Sequence, residues 1–500
     1  MPDTRYDVAI VGAGFSGPIL AAKIAETGVH PGTGDRLKVA LIEAGPYLKG
    51  DARPGYGNPS RRKVITNLPG DFPPFHWENG SAKLVGGSSL HWDGQAFLPF
   101  PMDYVHWEKE TGLDWTEENL KEAVEEIRQE FSIHHYPDEV VTPGDRLFVE
   151  VAGRMGYEPR RQWGARRNCL HCDYCNSPRM CRYDSRASTL WTYVPKAEEH
   201  GVDIIPDTLV EKILIDVKGE RGVVRGLVCL SGGTRYQMTA EKVMICCGIR
   251  RTAPLLMHSG YGPPDWRGNP ILVANPNVGQ HIDGHGFLPG VSALFDEPMG
   301  DGEAGSLRGH FMIHDDRADG EGRLLFRASF GVPRLPDRAA LNVFAPPFGR
   351  AHKRFMREKG ILRTGSLRPS VAKPSGRWYF DPDGKLRLGG DHSLTIRRHK
   401  EGLKIAHEVL TEMGASKVTS MDVPVVMGPS SLGAHLVGSC RAGIDPRTSV
   451  VDPYFESHDV DNLFVCDGSV IPRVTTGNSG TPQASVSVFA AQRIIERHFS

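Results

Sequence analysis

A strand–glycine–helix unit at the start of the chain constrains the fold more than any other feature. Tyr6–Thr27 reads YDVAIVGAGFSGPILAAKIAET. The apolar run Val8, Ala9, Ile10 and Val11 suits a strand buried in a parallel sheet. Gly12, Gly14 and Gly17 then supply G-x-G-x-x-G, and Ile19, Leu20 and Ile24 follow at helical spacing. The first glycine of such a motif permits the tight turn, the second lets the backbone approach a pyrophosphate, and the third lets helix pack on strand. The helix N-terminus then faces the negative charge. A second strand, Lys38–Ile42, ends in Glu43, where a carboxylate accepts bonds from ribose hydroxyls. The insertion GVHPGTGDRL makes this spacing slightly long.

A second helix start is expected near the other end, in IPRVTTGNSGTPQASVSVFAAQRIIERHFS from Ile471 to Ser500. Thr481 suits the N-cap and Pro482 the first helical position. Val486, Phe489, Ala490, Ile494 and Ile495 supply an apolar face. The glycine-rich lead-in aims backbone amides and a positive dipole end at a ligand. Were that ligand the pyrimidine end of a flavin, the dipole would stabilise the anionic reduced ring. The two ends together predict an α/β chain with a Rossmann-like nucleotide-binding domain.

Four of the nine cysteines crowd into NCLHCDYCNSPRMCR, as Cys169, Cys172, Cys175 and Cys181. The spacing is Cys-x2-Cys-x2-Cys-x5-Cys. Thiolates this close together share a metal or a cluster more readily than they pack as separate buried thiols. An iron–sulfur cluster is one reading, a structural zinc a second, and unliganded thiols or one disulfide a third. The other five, Cys229, Cys246, Cys247, Cys440 and Cys466, lie in apolar or glycine-rich segments and read mostly as small buried hydrophobes. An odd total with one tight cluster argues against a secreted disulfide scaffold.

Composition is that of an ordinary soluble globular protein, with 39% hydrophobic and 24% charged residues and a net charge of -1. It advertises neither nucleic acid nor a polybasic membrane patch. Asp3, Arg5 and Asp7 precede the first apolar run, which argues against a Sec signal peptide, and Val8–Ala22 is too short to span a bilayer. The expectation is a cytoplasmic protein with no direct membrane span, periplasmic only if carried by an exported partner subunit.

Ordered blocks along nearly the whole chain resemble the glucose–methanol–choline (GMC) oxidoreductase family. They are VAIVGAGFSG with LIEAG, LVGGSSLHWDGQ (84–95), ICCGIRRTAPLLMHSG (245–260), NPNVGQHIDGH (275–285), HLVGSCRAGIDPRTSVVD (435–452) and NLFVCDGSVIPRVTTGNSGTPQASVSVFAAQRI (462–494). One departure is Ala253, which stands between Thr252 and Pro254 where the family's second signature runs Ser/Thr-Pro. The resemblance implies an FAD domain from 1–100, 190–290 and 430–500, interleaved with an α+β substrate domain from 100–190 and 290–430. The latter includes the cysteine loop 168–182 and an antiparallel sheet. Within it, GRWYFDPDGKLRLGGDHSLTIRR alternates like strands about a Pro-Asp-Gly turn at 382–384.

Oxidising an alcohol with a flavin requires a base for the hydroxyl proton and a donor for the developing alkoxide. The resemblance places the catalytic histidine at His435 and its partner at Asn478. It places Gly87, Ser88, Asp467 and Gly468 against the flavin. His91 stands where some relatives bond the flavin covalently; contact without a bond is the alternative. The cysteine loop resembles that of bacterial sugar-dehydrogenase members, although its x5 gap departs from the common x3. The expected function is FAD-dependent oxidation of a sugar, sugar acid or polyol. Electrons would leave through an iron–sulfur cluster to a small partner subunit, cytochrome or quinone. The competing expectation is an oxidase that uses oxygen and makes hydrogen peroxide, with the cysteine loop structural. Trp92, Trp163 and Trp191 offer stacking faces for a sugar or packing for the core.

Overall fold

The computed structural model describes residues 5–48, 82–90, 92, 94–170, 184–286, 290–300, 309–314, 324–331, 344, 348–358, 360–380, 385–391, 393–420 and 434–499. Five strands run parallel in the order Asp203–Ile205, Val39–Ile42, Arg5–Val11, Thr234–Ile245, Leu463–Val465. In the inner strands Val8–Val11, Val39–Ile42 and Val243–Ile245 every residue is apolar and buried, as a strand covered on both faces requires. The antiparallel strands Arg221–Ser231 and Thr208–Lys218 extend this sheet. The chain thus contributes its first strand, its middle and its C-terminal tenth to one layer.

The last helix, Gly480–His498, and the first, Gly17–Thr27, pack on that sheet. Val486, Phe489, Ala490 and Ile494 are buried in the same core as Ile19, Leu20 and Ile24. Side chains of this size each contribute roughly 1.5–3 kcal/mol when taken out of water. The burial therefore locks the C-terminus onto the N-terminal nucleotide turn.

A second sheet, of nine strands among the described residues, is antiparallel, with the central order Lys417–Ser420, Val291–Leu294, Thr364–Phe380, Leu324–Phe330, His310–His314, Pro159–Arg161. The helices Pro143–Arg154 and Ser393–Glu412 cover it through Phe148, Val151, Ile405, Val409 and Leu410. Fold class is therefore a Rossmann-type α/β layer interleaved with an α+β unit on an antiparallel sheet. Two segments grouped by sequence with the nucleotide domain, Ile282–Gly286 and Ala434–Val437, are strands of this second sheet.

The stretch expected as two strands holds through Gly390, where Thr364–Phe380 pairs with Leu386–Gly390. From Ser393 onward it is helical instead. Asp391 accepts the Ser393 amide and hydroxyl at 2.9 and 3.0 Å, an N-cap arrangement that starts a helix where alternation suggested a strand. The turn at 382–384 lies outside the described residues. Cys229, Cys246, Cys440 and Cys466 are buried in the main core, and Cys247 is partly buried.

Candidate active site

Three loops close around the glycine turn. A Cβ on Gly17 would lie 1.9 Å from the Gly12 carbonyl oxygen, and one on Gly12 (φ +101°) 2.5 Å from that of Cys246. Gly87 (φ +47°) approaches Gly14 so closely that a Cβ would sit 2.7 Å from the Gly14 Cα. The Gly86 amide donates to the Ala13 carbonyl at 2.8 Å, and the Thr189 hydroxyl to that of Gly14 at 2.9 Å. Gly14 differs from these neighbours: among the described residues nothing lies within 4 Å of where its Cβ would point. That is the open cradle a pyrophosphate needs beside the N-terminus of Gly17–Thr27, whose first turn has no side-chain cap.

Glu43 is buried at the end of its strand, and its two oxygens accept the amides of Ala13 (3.0 Å) and Gly45 (2.9 Å). Burial pushes its pKa up, against those two bonds. The carboxylate therefore organises the glycine turn; its remaining lone pairs are the ones a ribose would use.

The opposite end of the cleft differs from expectation in one detail. The last helix begins at Gly480, with Ser479 in the cap position, so Thr481 and Pro482 lie inside the first turn. The Thr481 hydroxyl donates to the Phe97 carbonyl at 2.6 Å and accepts the Phe97 amide at 3.3 Å. It pins the helix start to a neighbouring loop and caps nothing. The Gln483 amide donates to the Ser16 hydroxyl at 3.0 Å, joining the starts of the first and last helices. Asp467 accepts the Gly248 amide (2.7 Å), the Thr252 hydroxyl (2.6 Å) and the Ser469 amide (2.7 Å), while burial raises its pKa. A Cβ on Gly468 would meet the Gln483 side-chain oxygen at 2.9 Å.

Ser88 accepts the Ala82 amide at 3.3 Å. Of the three tryptophans, Trp92 borders the start of the last helix, 3.7 Å from where a Gly480 Cβ would stand. Trp191 is tied to the Arg186 carbonyl, and Trp163 stacks on His135 with ring centroids 5.2 Å apart. Cys169 is described and partly buried. His91, Cys172, Cys175 and Cys181 lie outside the described residues.

His435 owes its position to an irregularity in the second sheet. Asp283 pairs with Val437 and His285 with Ala434, so the strand bearing His435 carries one extra residue, a β-bulge. His435 has φ +55°, a conformation costing an L-residue roughly 1–2 kcal/mol. The bulge turns its ring onto that of His285, with Nδ1 to Nδ1 2.9 Å. Burial, His285 and the Arg327 guanidinium all push the His435 pKa well below the ordinary histidine value.

Asn478 is buried, and its Oδ1 accepts from the Arg327 guanidinium, which lies over the Phe97 ring 5.7 Å from the centroid. The segment bearing Asn478 is anchored by two acids. Asp283 accepts the Val474 amide at 2.8 Å, and Asp103 accepts the Thr476 amide and hydroxyl at 2.9 and 2.8 Å. Burial raises Asp283 to about 7.

Sequence reasoning assigned no role to His285, Asp283, Asp103 or Arg327. Three of these left a signal. Asp283 and His285 stand two apart and so share one face of a strand, and Arg327 is the lone charge in the apolar strand LLFRASF. Asp103 gave none, since an acid in a helix's first turn reads as a cap.

A glycine cradle between two helix starts, on a Rossmann-type layer that accompanies an antiparallel sheet, fits a flavin dinucleotide and the class of FAD-dependent alcohol oxidoreductases. Two family models, both for GMC oxidoreductases, match residues 72–286 and 381–490. The chain belongs to the GMC oxidoreductase family. It is similar to the 2-methyl-1,2-propanediol dehydrogenase of Mycolicibacterium austroafricanum, at 25% identity across 99% of this chain and 96% of that protein. The fructose dehydrogenase large subunit of Gluconobacter japonicus is 24% identical, over 98% and 97%. Among solved structures, pyridoxine 4-oxidase from Mesorbium loti superposes with a TM-score of 0.68 at 19% identity, covering 99% and 100% of the chains. A formate oxidase gives 0.70 at 17% identity, covering 100% and 99%. At such identities these two establish the fold alone.

Proposed function

We propose that the protein oxidises an alcohol carbon of a sugar, sugar acid or polyol, with His435 taking the hydroxyl proton and Asn478 orienting the substrate oxygen. The observation that carries this reading is the convergence of His435, His285, Arg327 and Asn478 on one point of the second sheet. The Gly12–Gly17 turn and the loops of Gly87 and Asp467 would hold FAD, which when bound would supply the acceptor for the carbinol hydrogen and its electron pair. His435 is neutral at rest, because burial and the Arg327 guanidinium disfavour its protonated form. A neutral imidazole has a lone pair for the proton that leaves oxygen. Asn478 spends its oxygen on Arg327 and so retains its NH2 as the donor to the developing alkoxide.

A pH dependence follows. A group whose pKa is depressed stays unprotonated as pH falls through its ordinary value, so kcat/KM is expected to hold steady down through pH 6.5 and fall only below it. A pH–rate profile whose acid limb lies at or above 6.5 would remove His435 from this role.

Electrons are proposed to leave through an iron–sulfur cluster on Cys169, Cys172, Cys175 and Cys181 to a partner subunit, cytochrome or quinone. What supports this is the spacing of the four cysteines and the dehydrogenase character named for two relatives. Replacing Cys172 by Ser is expected to leave substrate-driven flavin reduction intact and to slow reduction of a downstream acceptor at least tenfold. Iron and acid-labile sulfide at three or four per FAD in anaerobically purified protein support the relay. Zinc, or no metal with stoichiometric hydrogen peroxide, identifies the oxidase alternative. Among the described residues no helix is long and apolar enough to cross a membrane.

A further inference from the structure

We propose that His285 is the positioning residue for the His435 base: its Nδ1 accepts the His435 Nδ1 proton and so leaves the His435 Nε2 lone pair for the substrate. This rests on the reading of His435 as base and adds what selects the reactive nitrogen.

Two neutral imidazoles whose Nδ1 atoms stand 2.9 Å apart share one proton between those atoms. Either His435 donates and keeps Nε2 unprotonated, or His285 donates and His435 carries its proton on Nε2, where it is useless as a base. The surroundings of His285 decide between them. Its ring is 1% exposed, and the carbonyls of Thr475 and Thr476 lie beside it. Its Nε2 is enclosed without a hydrogen bond of good geometry. A lone pair there would face carbonyl oxygens in a buried site, whereas an N–H is attracted to them. The proton of His285 therefore belongs on Nε2, which makes its Nδ1 the acceptor and His435 the donor. Burial and Arg327 depress the His285 pKa to about 3, so His285 stays a neutral acceptor throughout. During turnover the substrate O–H bond breaks, its proton goes to His435 Nε2, and the resulting imidazolium still donates from Nδ1 to His285.

The backbone builds this pair on purpose-shaped ground. The bulge that rotates His435 out of register is on the strand that pairs with Ile282–Gly286, and His285 is the residue opposite its start. Asp283, two residues earlier, ties the same strand to Val474, next to the Thr475 and Thr476 carbonyls. The elements that fix the tautomer are thus the ones that place the base.

The test compares His285→Leu with His285→Asn in FAD-loaded protein, by single-turnover flavin reduction across substrate concentration. Asparagine can return an acceptor oxygen close to the lost Nδ1, and leucine cannot. The expected result is a fall in limiting rate of ~10²-fold for H285L, with half-saturation within about twofold, and recovery of at least tenfold of that loss in H285N. Wild-type rates in H285L overturn the proposal. Equal impairment of both variants at full FAD content overturns it too, since it would show packing alone. Fast reduction in a His435→Ala control would instead overturn the reading of His435 as base.

Discussion

Replacing His435 by alanine is expected to slow substrate-driven flavin reduction by ~10³-fold or more while leaving FAD stoichiometry unchanged. The two effects separate because the residues lie on different sheets. His435 is on a strand of the antiparallel sheet, whereas the glycine cradle is carried by the parallel one. The loss has one source: no base remains opposite Asn478 to take the hydroxyl proton. Alanine bears much the same left-handed strain at φ +55° as histidine, and the ladder that pairs the strand with Ile282–Gly286 is made by backbone, so the variant is expected to fold. Absorbance of the bound flavin after anaerobic mixing reads the rate, and the ratio of FAD to protein reads the control.

The second large effect concerns two glycines three residues apart. Gly17→Val is expected to abolish folded protein, because its Cβ would stand 1.9 Å from the Gly12 carbonyl oxygen, a backbone atom that cannot move aside without breaking the turn. Such a clash costs several kcal/mol, of the order of the whole stability of a domain. Gly14→Ala should behave differently. Its Cβ points into open space, so the chain folds, but the methyl group takes up room in the cradle. The expected outcome is a protein with near-normal melting behaviour that has lost most of its FAD. Wild-type FAD content in Gly14→Ala would show that the phosphates lie elsewhere.

The nucleotide half of the fold was legible because its signals are local. The run Val8–Val11, the glycine turn and the helix after it lie within about twenty residues, and each has one physical reading. The antiparallel sheet was legible only in part. Ser393 begins a helix because Asp391 caps it, and a capping contact of two residues outweighs a strand-like alternation that continues past it. Thr481 had the chemistry of a cap but was drawn to Phe97, nearly four hundred residues away in sequence, a contact no local pattern announces. The pairing of His285 with His435 spans 150 residues and depends on a one-residue bulge, which alternation alone does not encode.

The most direct test is to mix the FAD-loaded protein anaerobically with a panel of aldoses, aldonic acids and polyols, and to follow the flavin absorbance together with the carbonyl product. The account predicts bleaching by at least one of these alcohols, with one carbonyl formed per flavin reduced. A flavin that stays oxidised with every compound of the panel, yet is readily bleached by a chemical reductant, would contradict it.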